Sequence, residues 1–142
     1  IRAGRPVAVI HGDWHFGQLV ALPGAGWRLI DVDDLGLGDP AWDLARPAAW
    51  FAAGLLPVDL WARFVDAYAA GGGPAVTDWA DPWPALDLPA RFRTVEYAAT
   101  ALAAHFERPP DAGLDAGLDP VSAAFVESCA RIAGGHGPES GS

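Results

Sequence analysis

The sequence predicts an α+β fold that is mostly helical, with a small β-hairpin region near its beginning. Two short apolar runs, at residues 19–22 and 27–30, flank a Pro/Gly-rich turn, which is the pattern of a hairpin. Beyond residue 39 the apolar residues recur mainly at helical spacing. The 142 residues and a hydrophobic fraction of 51% suit one domain with its own core, which we expect to span 1–142.

Strands are expected in the first part of the chain. Residues 7–10 form a β-branched run that leads into His11, and the hairpin over 19–22 and 27–30 follows. The acidic run at 31–34 comes directly after the second hairpin strand, so its carboxylates lie at a strand end. Two glycines among the next four residues predict a loop there.

Helices are expected in the remainder. Asp39 is suited to cap a helix that begins at Pro40. Apolar residues at helical spacing then predict helices over 58–70, 90–106 and 121–133.

The segments between these helices contain residues that favour loops. Residues 79–89 are rich in Pro and Asp and predict a loop or a short lead-in to the next helix. A connecting loop is expected over 108–120, and a flexible tail over 134–142.

The acidic balance of the chain limits its partners. Nine Lys and Arg against 18 Asp and Glu give a formal charge of −9, which argues against a nucleic acid or an anionic membrane surface. An apolar run near 47–58 is too short to span a bilayer. The single cysteine, Cys129, makes no internal disulfide, so we expect a cytoplasmic protein. Cys129 itself is expected to be a small buried side chain.

Acidic and imidazole groups concentrate at residues 11–18 and 31–34, which the hairpin can bring together. Phosphoryl transfer needs a carboxylate that orients the attacking hydroxyl and oxygen ligands for Mg²⁺. Asp13 can supply the first, while the Gln18 amide and the Asp31 carboxylate can supply the second.

Three motifs in this region resemble those of a known superfamily. The His-Gly-Asp string at residues 11–13, with an amide residue five positions after the Asp, resembles the catalytic loop of the aminoglycoside phosphotransferase and choline kinase-like superfamily. Asp31 matches its metal-binding aspartate, and residues 38–45 are similar to the segment that follows. The motifs occur in the same order and at similar spacing, and the resemblance covers roughly residues 7–68 well.

The resemblance implies the C-terminal lobe of a protein kinase-like fold, with the hairpin region carrying the site. It implies ATP-dependent phosphorylation of a hydroxyl on a small molecule such as an aminoglycoside, a sugar or an amino alcohol, with Mg²⁺ as cofactor. The superfamily's N-terminal lobe, with a phosphate-contacting lysine, has no counterpart here. We therefore expect the 142-residue chain to be inactive, or nearly so, alone.

The resemblance also implies roles for individual residues. Asp13 would be the catalytic base, and Gln18 with Asp31 would bind the magnesium of the nucleotide. Asp39 would brace the catalytic loop through hydrogen bonds to its backbone, and His11 would support the same loop.

One position departs from the superfamily pattern, because Gln18 stands where Asn is usual. The longer side chain keeps the amide oxygen, and the surrounding string is similar to maltokinase-type members, which hints at a sugar-like acceptor. The acidic balance instead suits a cationic acceptor. Asp33 can support the metal or the substrate, or lie in a solvated loop, and His15 is expected to pack or hydrogen-bond. Trp14 and Trp42 are expected to lie in the core rather than to form a binding platform.

Two other functions remain open. Asp13 and His15 have the spacing of a metallophosphoesterase motif, with Asp39 as a second element, but His105 and His136 lack the context which that class requires. A pseudokinase-like module that binds without turnover is the non-enzymatic alternative.

Overall fold

The computed structural model describes residues 4–107 and 117–135, which form two small antiparallel sheets and a larger helical part. The strands are β1 (Ala8–Ile10), β2 (Leu19–Leu22), β3 (Gly26–Leu29) and β4 (Gly36–Gly38). The helices are α1 (Ala45–Ala52), α2 (Val58–Ala70), α3 (Trp83–Phe106) and α4 (Pro120–Gly134). Short 3₁₀ helices at Phe16–Gln18 and Pro40–Trp42 lie on either side of the hairpin.

The predicted hairpin is confirmed, with Leu19 opposite Leu29 and Leu22 opposite Gly26. Gly24 and Gly26 both have φ of 73°, the left-handed region that glycine enters without steric cost. The backbone N–H of Ile30 donates to the Gln18 carbonyl at 2.9 Å, so the pairing continues to the position just before Asp31.

The loop expected at residues 35–38 is a strand. β4 pairs antiparallel with β1, with Ala8 opposite Gly38 and Ile10 opposite Gly36. Glycines are poor strand formers, but a Cβ at Gly38 would lie 2.6 Å from the Ile10 side chain. Glycine therefore fits the close approach of Ile10, and the prediction failed because the pairing partner is distant in sequence.

Helix α3 begins seven residues earlier than its pattern predicts. Pro84 lies in the first turn, where the backbone N–H has no partner within the helix, and Pro89 lies inside the helix. Pro89 is buried, so packing against the core outweighs the hydrogen bond that its ring removes. Of the two alternatives for 79–89, the loop is therefore wrong from Trp83 onward, where the segment is already part of the helix.

The remaining boundaries lie close to the prediction. The predicted cap at Asp39 is confirmed, although the helix that it begins is a 3₁₀ turn followed by α1. Helix α4 extends to Gly134, one residue into the predicted tail. The rest of that tail beyond residue 135, and residues 108–116 of the predicted connector, lie outside the described residues.

Two apolar clusters form the core of the helical part. The first joins α1, α2 and the start of α3 through the buried side chains Leu44, Ala48, Trp61 and Leu86. The second joins α1, α3 and α4 through Ala49, Ala98 and Phe125, with Cys129 partly buried against it. Helix α1 contributes to both clusters, so the segment after β4 is held firmly between the other helices. Over 4–107 and 117–135, no helix combines the length and apolarity required to cross a membrane.

Helix α4 is capped at its start by Asp119, whose carboxyl group can titrate. The Asp119 carboxylate accepts the Ser122 hydroxyl at 2.6 Å and the backbone N–H groups of Val121 and Ser122. These bonds, led by that of the Ser122 hydroxyl, lower the pKa of Asp119 below its ordinary value of 3.8. The carboxylate ionises more easily in the folded than in the unfolded chain, so its stabilisation is complete above pH of about 4 and is lost as pH falls through the folded pKa.

We expect Asp119→Asn, which keeps the cap without its charge, to lose less stability between pH 5 and pH 3 (roughly bracketing the carboxyl pKa) than the unaltered chain. Thermal unfolding across that interval measures the difference. Ser122→Ala should also weaken the acid dependence, because it removes the strongest bond to the carboxylate. An acid dependence identical in all three proteins would contradict the assignment.

Candidate functional site

The loop after β1 is held by a carboxylate from the helical part. The backbone N–H groups of His11 and Gly12 donate to the two oxygens of Asp43, at 2.8 and 3.0 Å. Asp43 follows the 3₁₀ turn Pro40–Trp42, and its neighbours Ala41 and Leu44 are buried in the first apolar cluster, which fixes its position. Its bidentate acceptance sets the direction of the chain just before Asp13.

Glycine is required at position 12. Gly12 has φ of 88°, in the left-handed region, and a Cβ there would lie 2.5 Å from the carbonyl oxygen of Asp34. Any side chain would therefore push the Asp13 loop away from the loop that contains Asp31 and Asp34. The close approach of these two loops depends on the missing Cβ.

His11 ties the same two loops together. Its side chain is buried, and Nε2 lies 2.9 Å from the carbonyl oxygen of Ile30, the residue before Asp31. The carbonyl can only accept, so Nε2 carries the proton. His11 therefore joins the loop after β1 to the segment that carries Asp31, and its supporting role in the site stays a prediction.

Gln18 and Asp31 meet as the sequence predicts. The amide nitrogen of Gln18 donates to Asp31 Oδ2 at 2.8 Å, although the two residues are thirteen positions apart. Gln18 is buried at 5% exposure, so its extra methylene relative to Asn is accommodated in the interior. Asp31 is exposed and has φ of 60°, the one described non-glycine residue in the left-handed region.

The donor set of this pair suits Mg²⁺. A carboxylate only accepts hydrogen bonds, so the Gln18 NH₂ faces Asp31 and its amide oxygen remains for a cation. Amide and carboxylate oxygens are hard ligands, and Mg²⁺ keeps several waters, so these two side chains fit the ion. In the described part of the chain, no three His, Cys, Asp or Glu side chains gather as in a dedicated metal cluster.

The Asp13 carboxylate is paired with two arginines. The Arg46 guanidinium, from α1, contacts Oδ1 closely, and that of Arg93, from α3, lies 3.5 Å from the same oxygen. Arg93 also donates to the Gly12 carbonyl at 3.3 Å and to Glu96 at 2.7 Å. Asp13 is thus fixed through one oxygen, while its side chain keeps about a third of its surface exposed, at 33%.

The described hydrogen bonds of Asp39 are made with Arg5 and with the start of the 3₁₀ turn. Its carboxylate accepts two bonds from Arg5, at 2.8 and 3.0 Å, and caps the backbone N–H of Ala41 at 3.0 Å. The bond with Asp39 also raises the pKa of the Arg5 guanidinium. The backbone N–H groups of His11 and Gly12 donate to Asp43, four residues further along the chain. The bracing of the loop by Asp39 that the resemblance implied stays a prediction.

His15 accepts the Gly17 N–H through Nδ1 at 3.0 Å, so it hydrogen-bonds as predicted. Trp14 stacks on Phe64 with ring centroids 5.6 Å apart and is half-buried. Asp33 is exposed, in the turn after Asp31, which leaves its supporting role a prediction.

Sequence reasoning missed Asp43, Arg46 and Arg93. Asp43 and Arg46 stand three residues apart in the segment after β4, so the sequence already indicated that they lie close to one another. Arg93 is 80 residues from Asp13 and reaches it only because α3 packs against α1. The sequence carries no local signal for that contact.

A loop aspartate beside a carboxylate–amide pair is the arrangement that phosphotransferases use to orient an acceptor and hold a metal-bound nucleotide. The comparison with protein families agrees: a model of the APH phosphotransferase enzyme family matches residues 1–88, more than half of the chain. The chain belongs to this phosphotransferase family. Neither the curated proteins nor the solved structures give a match.

The first prediction from the site concerns Asp43. In Asp43→Asn one acceptor oxygen becomes an NH₂ group that faces a backbone N–H, leaving that donor unpaired. We expect the free energy of unfolding to fall by about 2 kcal/mol, because a buried N–H is left without a partner and a hydrogen bond to a charged acceptor is lost. Urea unfolding measures the change. Asp78→Asn is the control, because Asp78 is exposed and caps a single N–H; a loss as large there would show that Asp43 has no special role.

The second prediction concerns the left-handed backbone at Asp31. Asp31→Gly and Asp31→Ala remove the same carboxylate, but only Ala keeps a Cβ that is unfavourable at φ of 60°. We expect the Gly variant to be more stable than the Ala variant by about 1 kcal/mol. Denaturant unfolding of the pair isolates this backbone contribution, and equal stabilities would mean that the segment relaxes out of the left-handed region.

Proposed function

We propose that this chain is the catalytic part of an ATP-dependent phosphotransferase that transfers the γ-phosphate to a hydroxyl of a small molecule. The supporting observation is the bond between two loops: the His11 ring bonds the Ile30 carbonyl, so the loop that carries Asp13 is joined to the strand end that carries Asp31, and Asp31 accepts from Gln18. Family membership supports phosphoryl transfer as the chemistry.

In the proposed mechanism Asp13 orients the acceptor. Both arginine contacts are made to Oδ1, so we assign Oδ2 to the acceptor hydroxyl. Asp13 then accepts the hydroxyl proton as the oxygen bonds to the γ-phosphorus and the bond to ADP breaks. Arg46 and Arg93 hold the carboxylate in place while that proton arrives.

Gln18 and Asp31 are the residues proposed to hold Mg²⁺, which supplies charge neutralisation on the nucleotide phosphates when bound. His11, Asp43 and Gly12 fix the backbone on which these groups are carried.

We further propose that a nucleotide-gripping lobe completes the site. The nine basic residues of the chain are all arginine, so a phosphate-contacting lysine must come from elsewhere. Apolar side chains on the two small sheets are well exposed, among them Val9 at 66% and Leu37 at 75%, and they offer a surface for such a lobe. On this proposal the 142-residue chain, which acts as a C-terminal lobe, transfers phosphate slowly or not at all alone. A cytoplasmic location stays a proposal supported by the single cysteine.

One observation favours a non-catalytic binding module instead. Two arginines already neutralise Asp13, and a carboxylate so engaged can serve as a structural element. The two functions differ in whether Asp13 is needed for turnover or only for the fold.

Asp13→Asn in the full-length protein separates them. The amide keeps the shape and a bond to the arginines but cannot accept the proton, so we expect phosphate transfer to fall by roughly 10²–10⁴-fold while ATP binding is kept. ATP consumption with an acceptor panel measures the rate. Asp59→Asn, at an exposed position of α2, should leave it unchanged. Turnover that is undiminished in Asp13→Asn would remove the base assignment.

A further inference from the structure

Helix α3 carries a second apolar face, on the side turned away from the core. Its buried side chains, such as Leu86 and Ala98, belong to the two apolar clusters. Further apolar residues follow one another at intervals of four and three along the outer side: Leu88, Phe92, Val95, Ala99, Leu102 and Phe106. This spacing places them in one line along the helix. We call these six residues the α3 stripe.

The α3 stripe is open to solvent along its whole length. Its five large side chains are between 36% and 79% exposed, in the order Leu102, Val95, Leu88, Phe92 and Phe106. The Trp42 ring packs edge-on against Phe92, with centroids 5.4 Å apart, and still leaves more than half of Phe92 uncovered. A continuous apolar strip of this length marks a contact surface rather than ordinary scattered exposure.

The spacing of the α3 stripe is that of a coiled-coil seam. In heptad terms, position a holds Phe92, Ala99 and Phe106, and position d holds Leu88, Val95 and Leu102. Pro89 lies beside the seam and before its last two heptads, so the seam from Phe92 to Phe106 is uninterrupted. The natural complement of such a seam is a second helix with the same pattern.

The size of the surface suits a reversible dimer. Helix α3 has 24 residues, a length of about 36 Å. Covering the α3 stripe on two copies would remove on the order of 1,000 Å² from water, close to the lower limit of about 1,200 Å² for specific interfaces. Two copies of α3 are therefore long enough to associate, with modest affinity.

The charges beside the α3 stripe identify a second copy as the partner and set its direction. Arg91 lies at position g, and Glu96, five residues later, lies at position e. In a parallel pair of helices each g residue faces the e residue of the next heptad on the other helix. Arg91 of each copy then faces Glu96 of the second copy, twice by symmetry. An antiparallel pair would instead bring Arg91 toward His105, which offers no anion.

Both charged side chains keep atoms for that contact. Arg91 binds Asp87 through Nε at 2.9 Å, and its two terminal nitrogens bind no group in the described part of the chain. Glu96 accepts from Arg93 through Oε2 at 2.7 Å, which leaves Oε1. Ion pairs that are this exposed add little affinity, so their effect is to select the parallel arrangement.

From this arrangement we infer that the α3 stripe is a self-association surface, through which two copies of the chain pair with their α3 helices parallel and in register. The twofold axis runs along the two helices, and the core of each copy lies on the outer side. The inference does not use Asp13 or phosphate transfer, so it stands or fails independently of the proposed function.

Sedimentation equilibrium of the 142-residue chain tests the association. We expect a monomer–dimer equilibrium with a dissociation constant on the order of 10 µM. Val95→Glu should weaken it at least about tenfold, because it places a carboxylate in the seam opposite its own copy. Glutamate is a better helix former than valine, so this variant should keep the fold, which circular dichroism checks.

Two control variants locate the surface. Val58→Glu makes the same substitution at an exposed position of α2, where Val58 is 72% exposed, and should leave the equilibrium unchanged. Leu37→Glu alters the apolar surface of the small sheets and should also leave it unchanged.

A charge exchange tests the parallel arrangement. Arg91→Glu should weaken the dimer at least about threefold, because it faces Glu96 of the second copy with a like charge. The double variant Arg91→Glu/Glu96→Arg should restore the affinity of the unaltered chain. Positions five residues apart on one helix do not face each other, so this rescue reports a contact between copies.

Four results would overturn the inference. They are a chain that stays monomeric at roughly 100 µM, equal effects of Val95→Glu and Val58→Glu, loss of the dimer in Leu37→Glu, and a double variant without rescue. The full-length protein is measured in the same way, and Val95→Glu should weaken its association too. No effect there would show that another part of the polypeptide covers the α3 stripe, and would overturn the inference as well.

Discussion

The bidentate bond between the Asp43 carboxylate and the His11 and Gly12 amides is the contact on which the rest of the site depends. It joins a loop between short strands, which has little core of its own, to the helical layer that is buried in two apolar clusters. From this anchor the positions of the other groups follow. Gly12 allows the second loop to approach, and His11 fastens that loop at Ile30, next to Asp31. Two three-residue strands could not define this geometry by themselves.

The arginines at Asp13 contribute position more than stability. Arg46 and Asp13 are 24% and 33% exposed, and ion pairs with such access to water contribute at most about 1 kcal/mol each. Their geometric effect is larger, because Arg46 is fixed in α1 and Arg93 in α3, so the carboxylate is held by the packing of two helices. A group intended to meet a hydroxyl at a defined place benefits from such fixation even where the free energy of folding gains little.

Whether a contact could be predicted depends on how far apart its two residues lie in the sequence. Gln18 and Asp31 lie at the two ends of a hairpin, and a hairpin's register is set by its own turn, so their meeting was predictable. The pairing of β1 with β4 was not, because a glycine-rich strand carries no pattern and its partner is separated from it by the whole hairpin. Arg93 is an extreme case, since it is 80 residues from Asp13 and approaches it only through the packing of α3. Asp39 and Asp43 show a finer limit: motif spacing identifies the segment, whereas the turn geometry decides which carboxylate accepts the His11 and Gly12 amides.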